Sequence, residues 1–197
     1  TGVDDIDYYD MIFKKWTFSQ EHNFSVNGGT KKLNYYASFN YLDQGGFMNL
    51  GEEGLSRYNG TAKIGSELTK WLKFDYTMRF TREDYKRPAT MTNSLYSDMA
   101  RQGWPVLPLY DPNGYYFYAP SPILGLAEGG TGKIQTDNMY HQVSFTFEPV
   151  KDWITHVDFN YRIKSANNYW DKQVLYNHDV EGNAYACDKY SNVHEDY

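Results

Sequence analysis

From residue 20 onward, apolar and polar side chains alternate one by one in long runs. His22, Phe24 and Val26 alternate with Asn23, Ser25 and Asn27. Leu33, Tyr35, Ala37, Phe39 and Tyr41 alternate with Asn34, Tyr36, Ser38 and Asn40. Tyr58, Gly60, Ala62 and Ile64 oppose Arg57, Asn59, Thr61 and Lys63. The clearest run sets Leu72, Phe74, Tyr76, Met78 and Phe80 against Lys73, Asp75, Thr77, Arg79 and Thr81. Two more runs follow: Met139, His141, Val143, Phe145 and Phe147, then Thr155, Val157, Phe159, Tyr161 and Ile163. A period of two puts one set on each face of a strand, so the pattern predicts six strands, each with one apolar and one polar face.

Short connections at 28–31, 68–70 and 149–152 alternate with long ones at 43–54, 86–138 and 165–197. Ordinary strands average about 5 to 6 residues. These run to about 9 to 11, the length that crosses a bilayer at a tilt. Short turns on one side and long loops on the other are the outer-membrane arrangement. Aromatics near strand ends (Tyr41, Tyr58, Trp71, Tyr85, Trp153 and Tyr161) fit a girdle at headgroup level. The predicted fold is therefore all-β: an antiparallel up-and-down meander forming part of a transmembrane β-barrel, with loops 43–54, 86–138 and 165–197 extracellular. Short helices are predicted at 5–16, with Ile6, Tyr9, Phe13 and Trp16 as the packing face, and at 92–102, stopped by Gly103 and Pro105. Residues 179–183 read as a hairpin tip.

Composition adjusts this picture without reversing it. Aromatics make up 18% of the 197 residues, with Tyr foremost. Tyr suits surfaces that are apolar on one side and wet on the other. The mean hydropathy of -0.74 looks polar, but a barrel strand is apolar only at every second residue. A net charge of -6 argues against a nucleic-acid partner. The single cysteine, Cys187, excludes an internal disulfide.

Candidate chemistry is sparse. Lys73, Asp75, Arg79, Asp158 and Arg162 lie mid-strand on the polar face, where a wet lumen tolerates charge; a solvated sandwich face tolerates it equally. Trp104, Tyr110, Tyr115, Tyr116, Phe117 and Tyr118 crowd the longest loop. Aromatic faces there fit either substrate or lid contact, or packing of the loop on itself. The run Gly129-Gly130-Thr131-Gly132-Lys133 lacks the Walker spacing, because Ala127 and Ile134 stand where Gly and Ser or Thr are needed, and it reads as a flexible loop. His178, Cys187 and His194 match no zinc pattern. No cofactor is expected, and no enzyme.

Local wording carries a resemblance. Gln20 through Lys32, with its His22-Asn23-Phe24-Ser25-Val26-Asn27-Gly28-Gly29 core, and the strand Tyr35-Tyr36-Ala37-Ser38-Phe39-Asn40-Tyr41-Leu42-Asp43-Gln44-Gly45-Gly46 are similar to a strand pair of the SusC-like TonB-dependent transporters. Asp7-Tyr8-Tyr9-Asp10-Met11-Ile12-Phe13 resembles the helix before it, and Arg57-Tyr58-Asn59 and Lys70-Trp71-Leu72-Lys73 fall where that family has similar words. The continuous resemblance covers residues 7 to 80. It implies a Gram-negative outer-membrane barrel of about 22 strands around a plug. It also implies uptake of oligosaccharides or peptides powered by TonB, which would act through an N-terminal region outside these residues, and a SusD-like surface lipoprotein as lid.

Two other readings stay open: a soluble extracellular all-β glycan-binding module, and a β-sandwich glycan hydrolase domain. The barrel reading carries a further expectation, that this chain is a piece of a longer protein, since known bacterial barrels begin at eight strands.

Overall fold

The computed structural model describes residues 5–93, 95–118 and 122–187. Six long strands are joined in chain order: β1 (Ser19–Gly29), β2 (Leu33–Gly45), β3 (Gly54–Thr69), β4 (Leu72–Pro88), β5 (Gly130–Val150) and β6 (Trp153–Lys172). They form one antiparallel sheet with the order β1-β2-β3-β4-β5-β6. It is an open meander among the described residues, with β1 and β6 as its edges.

Register carries the faces across the whole sheet, because directly paired residues point the same way. One row reads Phe74, Phe145 and Val157; the next reads Tyr76, Val143 and Phe159; then come Met78, His141 and Tyr161, and Phe80, Met139 and Ile163. Phe24, Phe39 and Gly60 continue that last row through β1, β2 and β3. The opposite face carries Asn23, Asn40, Asn59, Thr81, Asn138 and Lys164 in a single row. The predicted segregation of faces holds on every strand.

No second layer covers the apolar face among the described residues. Phe24 is 68% exposed, Phe159 62% and Tyr161 64%. No helix among the described residues is long and apolar enough to cross a membrane.

The turns also lie where expected, at one end of the sheet. Thr30 closes the first: its N–H donates to the Leu33 carbonyl and its hydroxyl accepts from the N–H groups of Lys32 and Leu33. Gly28 and Gly29 belong to β1 rather than to that turn. Asp152, at a φ of 70°, makes the last turn.

The strands outrun their predicted limits at the other end. β4 continues to Pro88 and β5 starts at Gly130, so the long excursion is 89–129 rather than 86–138. The first loop shrinks to 46–53, and β6 runs on to Lys172 before the last segment begins. Beyond Arg82 the ladder persists while the formerly apolar face turns polar, with Asp84, Gln135, Lys86 and Lys133, so alternation of hydrophobicity no longer marks it.

The loop end holds a compact helical cap. Helices α1 (Tyr8–Ile12), α2 (Leu95–Gln102) and α3 (Ile123–Glu128) pack with the 46–53 loop around Tyr8, Ile12, Met48, Leu95, Ile123 and Leu126. α1 is much shorter than the predicted 5–16. The Asp7 carboxylate caps it, accepting from the N–H groups of Tyr9 and Asp10. Its C-terminal continuation is drawn off into extended pairing: Phe13 bridges Met48, and the Lys14 N–H donates to the Phe47 carbonyl at 2.7 Å. Its buried face is Tyr8 and Ile12, so Tyr9 and Trp16, expected inside, lie exposed. α2 begins three residues later than predicted. A short hairpin, β7 (Tyr176–His178) with β8 (Ala184–Ala186), stands beside the cap around the expected tip at 179–183.

Candidate functional site

The polar face is a hydrogen-bonded surface rather than a single site. Across four strands, Asn40 donates to Glu21 at 2.6 Å, Asn59 to Asn40 at 3.0 Å, and Thr81 to Asn59 at 2.9 Å. The predicted charges sit on this face but do not converge. Lys73 pairs with Glu67 at 3.1 Å. Arg79 lies over the Tyr140 ring, 5.7 Å from its centre. Asp158 accepts from the Ser144 hydroxyl, and Arg162 donates to Asn138 at 3.3 Å. Asp75 shares a row with Ser144 and Asp158. Near the loop end the same face carries Tyr85, hydrogen-bonded to Glu53, and Arg87, whose guanidinium stacks 4.8 Å over Trp170.

The loop aromatics largely spend their faces on one another. Tyr110 and Tyr116 stack at 5.1 Å and share a backbone bridge. Asp111 builds the turn between them, its carboxylate accepting from the N–H groups of Asn113 and Tyr115. Burial pushes the Tyr116 phenol up, helped by its hydrogen bond with Tyr110. Tyr115 stacks on His178 at 4.0 Å, and the His178 Nδ1 lies 3.4 Å from Asp111. The 104–118 loop and the β7–β8 hairpin are thereby docked. Asn113 donates to the Asp179 carbonyl at 2.7 Å, and the Tyr118 N–H donates to the side chain of buried Asn177 at 2.9 Å. Trp104 keeps an open face, with its indole N–H on the Arg101 carbonyl.

Other sequence candidates resolve into structure. Gly129 ends α3, and Gly130, Thr131, Gly132 and Lys133 are paired residues of β5, so the expected flexible loop is a strand start. Trp170 covers Gly132, which leaves no room there for a side chain. Cys187 donates its thiol to the Leu175 carbonyl. His194 lies outside the described residues, and among those described no group of three metal-binding side chains exists. Of the expected girdle, Tyr41 and Tyr58 do stand together on the apolar face, 5.1 Å apart, at its loop-side limit. Tyr161 instead falls mid-face beside His141, and Tyr85 is on the polar face.

Sequence reasoning missed one cleft. A cleft of about 430 Å³ at the loop end is lined by Tyr9, Phe13, Phe47 and Tyr96 together with Glu53 and Asn93. Phe13 and Tyr96 lie parallel at 5.5 Å, and Tyr9 meets Phe13 at 5.0 Å. Beside it, a recess holds Asp43, Glu52, Glu53 and Asp84 with Lys14 and Lys86. The one signal in the sequence was the Tyr9–Phe13 pair at i, i+4, which the amphipathic reading assigned to packing.

No known family model matches this sequence, and no curated protein is similar to it.

Proposed function

We propose that this chain is a segment of a transmembrane β-barrel of the SusC-like TonB-dependent kind, which takes oligosaccharides or peptides across a Gram-negative outer membrane. The observation that supports this best is the uncovered apolar face. From Leu72 to Phe80 it runs about 26 Å along β4 at about 3.3 Å per residue. Tilted strands of that length cross the hydrocarbon layer. The face stops at the row of Tyr41, Tyr58, Arg82 and Asp137, where charge begins. Trp71 and Trp153 flank it at the turn end. An open apolar face of this extent in water invites aggregation, whereas against lipid it is solvated by the acyl chains.

The same reading gives the edges a role. In hydrocarbon each unpaired backbone group costs several kcal/mol, so β1 and β6 pair with further barrel strands. The loop end faces outward, toward a SusD-like lipoprotein and the substrate, and TonB acts through a region outside these residues. No catalytic step is assigned to the segment.

The test is a cysteine scan of residues 73–79 in a Cys187→Ser background, with an environment-sensitive dye and reconstitution into vesicles. The expected result is a period of two: labels at 74, 76 and 78 report hydrocarbon, and those at 73, 75, 77 and 79 report water. Uniform aqueous signals together with a soluble monomer would overturn the barrel and favour the secreted binding module.

A further inference from the structure

We infer that the polar face of the sheet carries an anion-selecting band whose solute bears carboxylates; the inference rests on the barrel reading proposed above, in which this face lines the lumen.

The distribution of charge carries the argument. In the consecutive polar-face rows through Thr77, Arg79 and Thr81, every charged side chain is a cation: Lys63, Arg79, Arg162 and Lys164. Carboxylates resume on either side. Glu21 and Glu83 stand in the next row toward the loops, and Asp75 and Asp158 in the next row toward the turns. The chain has 25 acidic residues against 19 basic ones, so a stretch of face with cations alone runs against its composition. Lys63, Arg79, Arg162 and Lys164 are all exposed. None of them makes an ion pair among the described residues. Instead Arg79 rests over the Tyr140 ring at 5.7 Å, Lys63 over the Tyr36 ring at 5.8 Å, and Arg162 donates to Asn138 at 3.3 Å. Such partners hold a cation in place without neutralising it.

Spacing makes these cations act together. Arg79 and Arg162 flank Tyr140 in one row, two strands and so about 10 Å apart. Lys164 follows Arg162 by about 7 Å along β6. Separations of this size lie within about one Debye length at 0.1 M salt, so their fields add. Like charges this close on one sheet face cost stability, and an anion lying across them removes that cost. Arg and Lys along a pore wall favour anions, and low-dielectric walls concentrate the field. The cations form a band rather than a pocket, so they select the sign of charge and not a shape. The arginine fork matches the two oxygens of a carboxylate. Both kinds of solute proposed above have carboxylate-bearing members: oligosaccharides of uronic acids, and acidic peptides.

The test uses the full chain refolded in uncharged detergent, with fluorescently labelled hexagalacturonate and hexaglutamate as probes and labelled maltohexaose and hexalysine as controls. Binding is read by anisotropy at low and at high salt. At least one anionic probe is expected to bind, more weakly as salt rises, and neither control should. Because the whole chain carries a net charge of -6, attraction without a local site would favour hexalysine. Arg79→Gln/Arg162→Gln should weaken the binding by about tenfold. Arg79→Lys/Arg162→Lys keeps the charge and should keep most of the affinity, and Asp75→Asn/Asp158→Asn should raise it. Lys31→Gln/Lys151→Gln removes as much charge at the turn end and should change nothing. Binding of hexagalacturonate alone assigns acidic glycans, and binding of hexaglutamate alone assigns acidic peptides; either supports the band. Three results would overturn it: no anionic probe bound up to about 10 mM at low salt, a control bound as tightly, or the turn variant losing as much as the arginine variant. The vesicle scan of residues 73–79 uses no anion, so alternation there without anion binding refutes the band alone.

Discussion

Arg82 grips Asp137 across the β4–β5 pair with two parallel hydrogen bonds, 2.7 and 2.8 Å long, in the row where the apolar face ends. A planar guanidinium facing a carboxylate in this way is the strongest geometry open to an ion pair. Both groups are partly exposed, with side-chain exposures of 41% and 24%, and solvent weakens the interaction accordingly. Arg82→Ala is expected to lower the urea midpoint of unfolding from detergent slightly. Arg82→Lys should recover only part of that, because an ammonium cannot form the double bond. An Arg82→Ala variant as stable as the parent would mean that the pair only marks the boundary.

Charge on the two faces should have opposite consequences. Met78→Lys places an ammonium in the middle of the apolar face and should cost about 2–4 kcal/mol for folding into vesicles. Thr77→Lys, one residue away on the polar face, should stay within about 0.5 kcal/mol of the parent. Equal effects at both positions would contradict lipid contact.

Gly132 and Trp170 form a lock near the loop end. A Cβ at residue 132 meets the indole ring directly. Gly132→Ala should displace Trp170 from Arg87, shift its fluorescence and destabilise the sheet by about 1–3 kcal/mol. Arg87→Ala leaves the ring seated and should cost only about 0.5–1 kcal/mol. Unchanged Trp170 emission in Gly132→Ala would show that the ring moves freely.

How far the sequence announced all this depends on whether a feature was local. Between Leu72 and Phe80 the alternation is complete, and the strand and both its faces are as read. Past Arg82 the same strand runs on with Asp84 and Lys86 on the formerly apolar side, and there hydrophobicity has no period to offer. The cap was least legible. The fate of Phe13 depends on Met48, more than thirty residues away, and the buried side of α1 is chosen by residues in α2 and α3. α3 itself is too short for a helical period to show. The aromatic loop was visible as a cluster, but its mutual stacking was not, and the cleft is assembled from separate segments that no window could join.

That stacking separates two loop residues that composition treats alike. Tyr116 packs against the small core and on Tyr110, so Tyr116→Ala should loosen the loop and raise its amide exchange. Trp104, 57% exposed, should tolerate Ala without a change in exchange. Equal protection in both variants would show that the Tyr110–Tyr116 pair is not structural.

The β7–β8 tip responds to acid. Asp179 is held below the usual carboxylate range, first by the amide of the Asn183 side chain and then by the Asn183 backbone N–H, with Glu181 and Gly182 adding theirs. A carboxyl depressed on folding stabilises the hairpin above its unfolded value of about 3.9, and that contribution disappears as pH falls through the folded value. The Asn183 amide should therefore stay protected at neutral pH and lose protection in strong acid. Asp179→Ala should remove the protection at every pH. A pH-independent Asn183 amide would exclude this role.

The length of β5 beyond the Arg82–Asp137 row has a consequence for anything that approaches from outside. From Asp137 back to Gly130 the strand extends about 23 Å at about 3.3 Å per residue, whereas a headgroup layer adds only about 5–8 Å per leaflet. In the barrel proposed above, the sheet becomes a collar that lifts the cap clear of the lipid surface. A bulky visitor such as an antibody or a phage tail could then grasp the cap without touching the bilayer, and lengthening or trimming this collar would change who can reach it while leaving the membrane-crossing band intact.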